Sequence, residues 1–481
     1  MVQDMKDEIL SAAARRDLFL SPEALEILDS NDYPMEFVNT ALNALAKNAM
    51  FVTKEQVIDF LGGDGHVMEP LKAEPPKNGR RPDIEIVPGS DITGHSTCEG
   101  KMADFIAYFR SRYGMLKKII CSKKGFSAPV PIERIGNFGH PVNIVGMVYE
   151  VRTTKAGHLV VTVEDDTGTC PVFVNKDGPL IDETFVTDEV IGITGEKAAR
   201  GDLFYAEAIY RPDIPQKRAW VPSDSSASVA FISDIHVGSR EFLKPQWEKM
   251  ISWMRTNHEK ENIGYIILPG DVVDGIGAYP DQEKDLEIMD IYEQYDTLKE
   301  YLKELPDSIP VVLHPGNHDA CRLAEPQPAL SEKFAKGFDS NILMVGNPIN
   351  VRIEGRLVES YHGKSIDDWI SGVRQLTYDD PLATMRAMAE RRHLAPMYGQ
   401  RNALAPEKKD YLVMEEVPDI FVTGHVHGAG YMEYRGVRMI NASTWQAQTD
   451  YQKMHNFNPN PGIMPLVNLG TGRVSMKNFV G

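Results

Sequence analysis

Five short polar motifs, each closing an apolar run in the second half of the chain, constrain what this sequence can fold into more than any other feature. Residues 229–233 lead into Asp234-Ile235-His236, and residues 265–268 into Gly270-Asp271-Val272-Val273-Asp274-Gly275. Residues 310–313 lead into Gly316-Asn317-His318-Asp319, residues 357–360 into Tyr361-His362-Gly363-Lys364, and residues 419–423 into Gly424-His425-Val426-His427. Strands buried on both faces fix the backbone, and the loops at their ends present polar side chains into a shared cleft. In D-x-H and H-x-H an extended backbone would send both side chains to one side, where they can chelate together. Glycines beside Asp271, Asn317 and His425 would permit tight turns in which these side chains converge.

The donors are mixed: the carboxylates Asp234 and Asp271, the amide of Asn317, and the imidazoles His236, His362, His425 and His427. Oxygen with imidazole suits Mn²⁺, Fe or Zn²⁺ better than Mg²⁺ or Ca²⁺. Mn²⁺ is the first expectation, with Fe, Zn²⁺ or Mg²⁺ as alternatives. Seven donors exceed the needs of one tetrahedral ion and suit two divalent ions sharing a carboxylate. Two ions about 3.5–4 Å apart can clamp a phosphate for in-line attack by water. A lone D-x-H is weak evidence, and G-N-H-D alone reads equally as a turn. All five in order, with no donor missing, point to a working site.

The rest of the chain reads as separate modules, and 481 residues suggest about three domains. Residues 1 to about 65 are expected to form a helical interaction module. Ser21-Pro22 reads as a helix start, Thr53-x-x-Gln56 as a capping box and Gly62-Gly63 as a stop, while Phe37, Val38, Ala41, Leu42 and Leu45 share one apolar face. Residues 66–128 read as a linker carrying one helix. Pro70, Pro75, Pro76 and Pro82 break regular structure, beside Lys77, Arg80 and Arg81. The helix is expected over 102 to about 118, with Met102, Phe105, Ile106, Phe109 and Leu116 on one side. Arg110, Arg112, Lys117, Lys118, Lys123 and Lys124 make this stretch basic; a solvated face is favoured over a nucleic-acid patch.

Residues 129–218 change to short strands with turns, at 142–151, 159–163, 170–174, 190–194 and 203–208, which predicts a small barrel. The E-D-D-T-G-T-C-P-V-F-V run resembles the hairpin of OB-folds. Its strands carry few aromatics (Tyr149, Phe173, Phe204, Tyr205), so a scaffolding barrel is at least as well supported as a strand-binding one. A Pro/Ser-rich junction precedes the domain expected over 226–481. The four cysteines are scattered and form no C-x-x-C pair, which argues against a zinc ribbon or a disulfide framework. The polar, acidic start is unlike a secretory signal, and no apolar run reaches bilayer length, so a cytoplasmic location without membrane contact is expected. A net charge of −18 is unlike a protein that grips duplex DNA alone, so DNA contact calls for local basic patches or a partner.

The motif set resembles the calcineurin-like metallophosphoesterase superfamily. That resemblance implies a two-sheet sandwich flanked by helices with a dinuclear site at the strand ends, and hence a multidomain α+β protein: helical module, OB-fold barrel and α/β sandwich. It implies Asp234, His236 and His427 on one metal, Asp271 bridging, and Asn317, His362 and His425 on the other. His318 would stand beside the scissile phosphate, stabilising charge or protonating the leaving oxygen, with Asp319 orienting its imidazole. The protein-phosphatase signatures G-D-x-x-D-R-G and G-N-H-E are not matched, since Gly275 follows Asp274 and Asp319 follows His318. The module order is similar to that of the small subunit of archaeal D-family DNA polymerase. So are D-I-H-V-G-S, P-G-D-V-V-D-G, P-G-N-H-D-A, Y-H-G-K-S-I-D-D, T-G-H-V-H-G and the segment 445–462. This implies a proofreading 3′→5′ exonuclease acting on single-stranded or primer-terminus DNA, bound to a large polymerising subunit. The alternatives are a non-catalytic assembly subunit and a stand-alone repair nuclease. No polymerase carboxylate constellation is evident, so synthesis is expected of the holoenzyme only.

Overall fold

The computed structural model describes residues 83–126, 128–216, 218–454 and 457–480, with positions 9, 12, 13, 19–21, 24, 25, 28, 38, 42, 51 and 52 upstream of them. The chain divides into two compact units, Met1–Lys72 and Ala73–Gly481. In the first, β1 (Phe19–Leu20) pairs in parallel with β2 (Phe51–Val52). Ile9, Ala12, Ala24, Leu28, Val38 and Leu42 are buried together. The Ser21 hydroxyl accepts the Ala24 N–H at 3.2 Å, a cap where the sequence predicts one. Phe37, Ala41, Leu45, Thr53, Gln56, Gly62-Gly63 and the prolines and basic residues between 70 and 82 lie outside the described residues.

The second unit begins with β3 (Ile84–Ile86) and α1 (Met102–Cys121). Five strands follow: β4 (Val142–Thr153), β5 (Leu159–Asp165), β6 (Gly168–Val174), β7 (Val190–Lys197) and β8 (Phe204–Tyr210). They form a closed barrel in the order β4-β5-β6-β8-β7. The D-D-T-G turn predicted between β5 and β6 is present, because the Asp165 carboxylate accepts from the Thr167 and Gly168 amides at 2.8 and 3.1 Å. Alternate residues, among them Val161, Val163, Val172, Val174, Ile191 and Ile193, fill the barrel.

The remaining strands build two six-stranded sheets. They are β9 (Ser228–Phe231), β10 (Ile263–Pro269), β11 (Val311–His314), β12 (Ile342–Met344), β13 (Ile349–Ile353), β14 (Arg356–Tyr361), β15 (Ile420–Thr423), β16 (Ala429–Tyr434), β17 (Val437–Ala442), β18 (Ile463–Asn468) and β19 (Val474–Asn478). One sheet runs β12-β11-β10-β9-β18-β19 and the other β16-β17-β15-β14-β13-β3. Val229, Phe231, Ile267, Val312, Val358, Val422 and Ile440 belong to one apolar cluster that draws on both sheets. Ala230, Ile266, Leu268 and Leu313 instead meet Trp247, Tyr295 and Leu298 of the helices α2 (Lys244–Asn257) and α3 (Ile291–Leu302). Strands β9, β10 and β11 thus border two cores, which is why their sequences read as unbroken apolar runs rather than alternating ones.

Two sequence expectations need correction. Residues 84–98 are not linker. Strand β3 is an edge strand paired antiparallel to β13, with Glu85 opposite Arg352, and Thr97 and Cys98 donate their amides to Glu407. A three-residue strand among prolines has no local signature; it forms because a distant edge offers hydrogen bonds. Second, α1 buries Tyr108, Arg112, Leu116 and Ile120, while Met102 is 75% exposed. Arg112 lies in the interior rather than on a solvated face. Its guanidinium reaches Asp410 at 2.7 Å, the Pro396 carbonyl at 2.6 Å and the Tyr108 hydroxyl at 2.8 Å. His393 Nε2 shares the Asp410 carboxylate at 2.8 Å. Only Tyr108 is local to the helix; the acidic partner that draws Arg112 inward, Asp410, comes from nearly three hundred residues away.

Burial, reinforced by the neighbouring Arg112, pulls the His393 imidazole down to about 4. The folded state therefore holds this ring neutral, while the unfolded chain takes up a proton near pH 6.5. Stability is then expected to fall as pH drops from about 6.5 to about 4, and His393→Gln should flatten that slope in urea titrations. Arg112→Met, which leaves Asp410 charged and buried, should cost about 3–5 kcal/mol in the same measurement.

Candidate metal centre

Each of the five motifs follows the carboxyl end of a parallel strand: β9, β10 and β11 in one sheet, β14 and β15 in the other. The loops are tied to each other through main-chain bonds. Asp234 N–H donates to Gly270 O, His236 N–H to Asp271 O, Gly424 N–H to His362 O and Trp445 N–H to Asp234 O, all within 2.8–3.1 Å. The extended backbone expected through D-x-H and H-x-H is not what forms. Asp234, His236, Asp271, His425 and His427 have φ of 51°, 53°, 48°, 68° and 53°. Strand β9 ends at Phe231, so the motif lies in a turn, where left-handed backbone aims the side chains inward. Non-glycine residues there carry about 1–3 kcal/mol of strain each, which the surrounding packing must offset. Two glycines serve close approach rather than backbone freedom. A β-carbon on Gly316 would overlap Asp271 Oδ1, and one on Gly424 would overlap Asp234 Oδ2 and Ser233 Oγ.

The seven expected donors gather into two neighbouring sets. Asp234, His236 and His427 form one, and Asp271, His362 and His425 the other, each with donor atoms within 4.8 Å of one another. Asn317 Oδ1 lies 3.0 Å from His362 Nε2 and so joins the second set. Asp271 Oδ2 stands between the two, 3.2 Å from His362 Nε2 and 4.0 Å from His236 Nε2. Burial opposes ionisation of Asp271, yet the facing rings of His362 and His318 hold its carboxyl well below the usual range. Burial likewise opposes charge on His236 and His362, but Asp274 and Asp271 outweigh it and raise the rings to about 9 and about 10. The carboxylates draw positive charge toward the cleft. Divalent cations would meet that demand, and the oxygen and nitrogen donors fit them.

Behind these donors stand residues to which the sequence reading gave no role. Asp274 Oδ1 takes His236 Nδ1 at 2.9 Å and Gln446 Nε2 at 3.0 Å, while Gln282 Nε2 reaches Oδ2 at 3.0 Å. Asp367 Oδ2 lies 3.3 Å from His425 Nε2, and Gln452 Nε2 lies 2.9 Å from His427 Nδ1. Such partners set ring orientation. The signal for Asp274 and Asp367 was present, since both fall inside quoted motifs; Gln452 falls inside the quoted segment 445–462, where no local pattern sets it apart from its neighbours. Among the described residues a third group, His236, Asp274 and His318, is also close-set. Its atoms already serve one another and the main chain, with His318 Nδ1 donating to Asp274 O at 2.7 Å.

The expectation that Asp319 orients the His318 ring is corrected. The Asp319 carboxylate turns away and accepts the Gly316 amide at 2.8 Å and the Tyr295 hydroxyl at 3.2 Å. Burial and the nearby Asp271 push it up to about 7. It braces the loop, and His318 is placed instead by Asp274 O and by its own amide, which donates to Asp271 Oδ1 at 2.8 Å. Asp319→Ala should therefore destabilise the fold by about 1–3 kcal/mol, because buried donors lose their acceptor. Equilibrium denaturation against wild type measures this.

The sandwich and its donor-bearing strand ends are those of a phosphoesterase, and residues 227–429 match the calcineurin-like phosphoesterase family. Across its length the chain is 39% identical to the DNA polymerase II small subunit of Archaeoglobus fulgidus, covering 96% of each chain. It is 36% identical to that of Methanothermobacter thermautotrophicus over 96% of this chain and 98% of the relative. With that of Thermoplasma acidophilum it shares 42% identity over 78% of each. The chain belongs to the DNA polymerase II small subunit family, as the resemblance in its motifs implies.

Proposed function

We propose that this chain is the proofreading 3′→5′ exonuclease subunit of an archaeal replicative DNA polymerase, assembled with a large polymerising subunit. The observation that carries the reading is the Asp271 carboxylate, buried between two complete donor sets and within 4.0 Å of a ring in each. In this reading Asp234, His236 and His427 would hold one ion, Asn317, His362 and His425 would hold the other, and Asp271 would serve both. The bound ions, Mn²⁺ being the first choice, would polarise the phosphodiester and activate the attacking water. His318 keeps its Nδ1 proton on Asp274 O, which leaves Nε2 for the leaving oxygen, where it stabilises charge or delivers a proton. Asp274 is the positioning residue for both His236 and His318.

The barrel's closed five-stranded order, with its D-D-T-G hairpin, supports an OB-fold reading. The relatives are named as small subunits of a polymerase. A large partner would also account for a DNA enzyme with a net charge of −18, since much of the grip on DNA would belong to that partner.

The test is digestion of end-labelled single-stranded DNA by the full chain with Mn²⁺. Loss of nucleotides from the 3′ end is expected, and label unchanged at both ends would remove the nuclease in favour of an assembly role. His318→Ala should cut kcat by about 10²–10⁴-fold while metal content by mass spectrometry stays as in wild type. Asp271→Ala should lose both activity and metal.

A further inference from the structure

Beside the donor sets stand an ammonium and two aromatic rings that the phosphodiester chemistry does not use, joined to them through Asp367 and His427. The Asp367 carboxylate, beside His425, accepts the Tyr378 hydroxyl at 2.9 Å and the Lys364 ammonium at 2.7 Å. The Tyr378 ring meets the Phe457 ring edge-on, with centroids 5.4 Å apart. The Phe457 ring in turn approaches the His427 ring to 6.1 Å. An ammonium and two aromatic rings are thus linked to the two histidines of the H-x-H loop, through Asp367 to His425 and by ring contact to His427.

The rings are held in place. Phe457 N–H donates to Gln452 O at 2.9 Å, and Gln448 Nε2 donates to Phe457 O at 2.8 Å. Gln452 is the residue whose amide touches His427, so the ring and the donor set share one support. Tyr378 is fixed through its hydroxyl. Neither ring is closed off from solvent; both are half-buried, unlike Trp369 and Trp445 in the cores.

A ring face beside a phosphate-handling centre offers what every nucleobase accepts, a stacking partner indifferent to sequence. An ammonium linked to the same rings complements the phosphate of the same nucleotide. A base within a duplex is already stacked and paired, so such a ring face favours an unpaired end. We infer that Phe457, with Tyr378 edge-on to it and Lys364 joined to Tyr378 through Asp367, forms a stacking subsite for the terminal unpaired nucleobase of the strand being hydrolysed. The inference rests on the phosphodiesterase reading above and adds the substrate feature that the rings select.

Two single-stranded oligonucleotides test it, one ordinary and one with abasic residues in the last two positions at both ends, each digested by the full chain with Mn²⁺. Wild type should favour the ordinary strand by about fivefold or more in kcat/KM, chiefly through KM, as expected for one stacked base. Phe457→Ala should erase that preference, and Phe457→Trp should keep it. Tyr378→Phe keeps the ring but drops the contact with Asp367, and should also keep it. Equal rates on both strands in wild type, or a preference that survives Phe457→Ala, would overturn the inference while leaving the nuclease intact. Wild type that digests neither strand would bring down the nuclease reading itself.

Discussion

A carboxylate shut away from water among imidazoles is costly unless charge answers it, and the C-terminal half of this chain is arranged around one such group. Asp271 is almost wholly buried, with the amide of His318 on one oxygen and the rings of His362 and His236 toward the other. Those rings come from strands of different sheets, so the group is satisfied only when both sheets are in register across the sandwich. Formation of the fold and formation of the site are one event in this region.

The barrel is attached by the same kind of bargain in miniature. Glu189 of the barrel is fully enclosed and meets Arg391 at 2.8 Å and Arg211 at 3.3 Å. Arg112 of α1 answers Asp410. Around these ionic contacts lies an apolar seam in which Leu116, Ile120, Phe126, Val145, Val190 and Val413 pack together. Buried ion pairs of this kind are modest contributors to net stability but are severe about geometry, since either charge left alone is heavily penalised. They fix which face of the barrel meets the phosphoesterase.

The strand-end motifs were legible because their chemistry is local: an apolar run, a turn and a donor all stand within a few residues. The barrel was legible from strand spacing and from the Asp165 turn. What escaped was non-local. Strand β3 exists because β13 has a free edge, and Arg112 is internal because Asp410 and His393 fold over it. The left-handed backbone at Asp234 and His427 was misread as extended because a one-residue spacing looks the same in either conformation. Asp319 was misassigned for a related reason. Adjacency to His318 suggested a partnership, whereas the loop directs the two side chains apart, and Asp274, after the preceding strand β10, takes the place expected of it.

The short turn from Gly270 to Gly275 has a further significance. Within it lie the carboxylate that faces both donor sets, the acceptor of the His236 ring and the carbonyl that receives the His318 ring. The Gly275 amide is itself pinned by Gln294 Oε1 at 2.9 Å, from helix α3. The buried carboxylate and the supports of the His236 and His318 rings are therefore mounted on a single bracket rather than on independent loops. A disturbance of the helix behind that bracket would reach both at once, so distance from the cleft is a poor guide to which residues govern it.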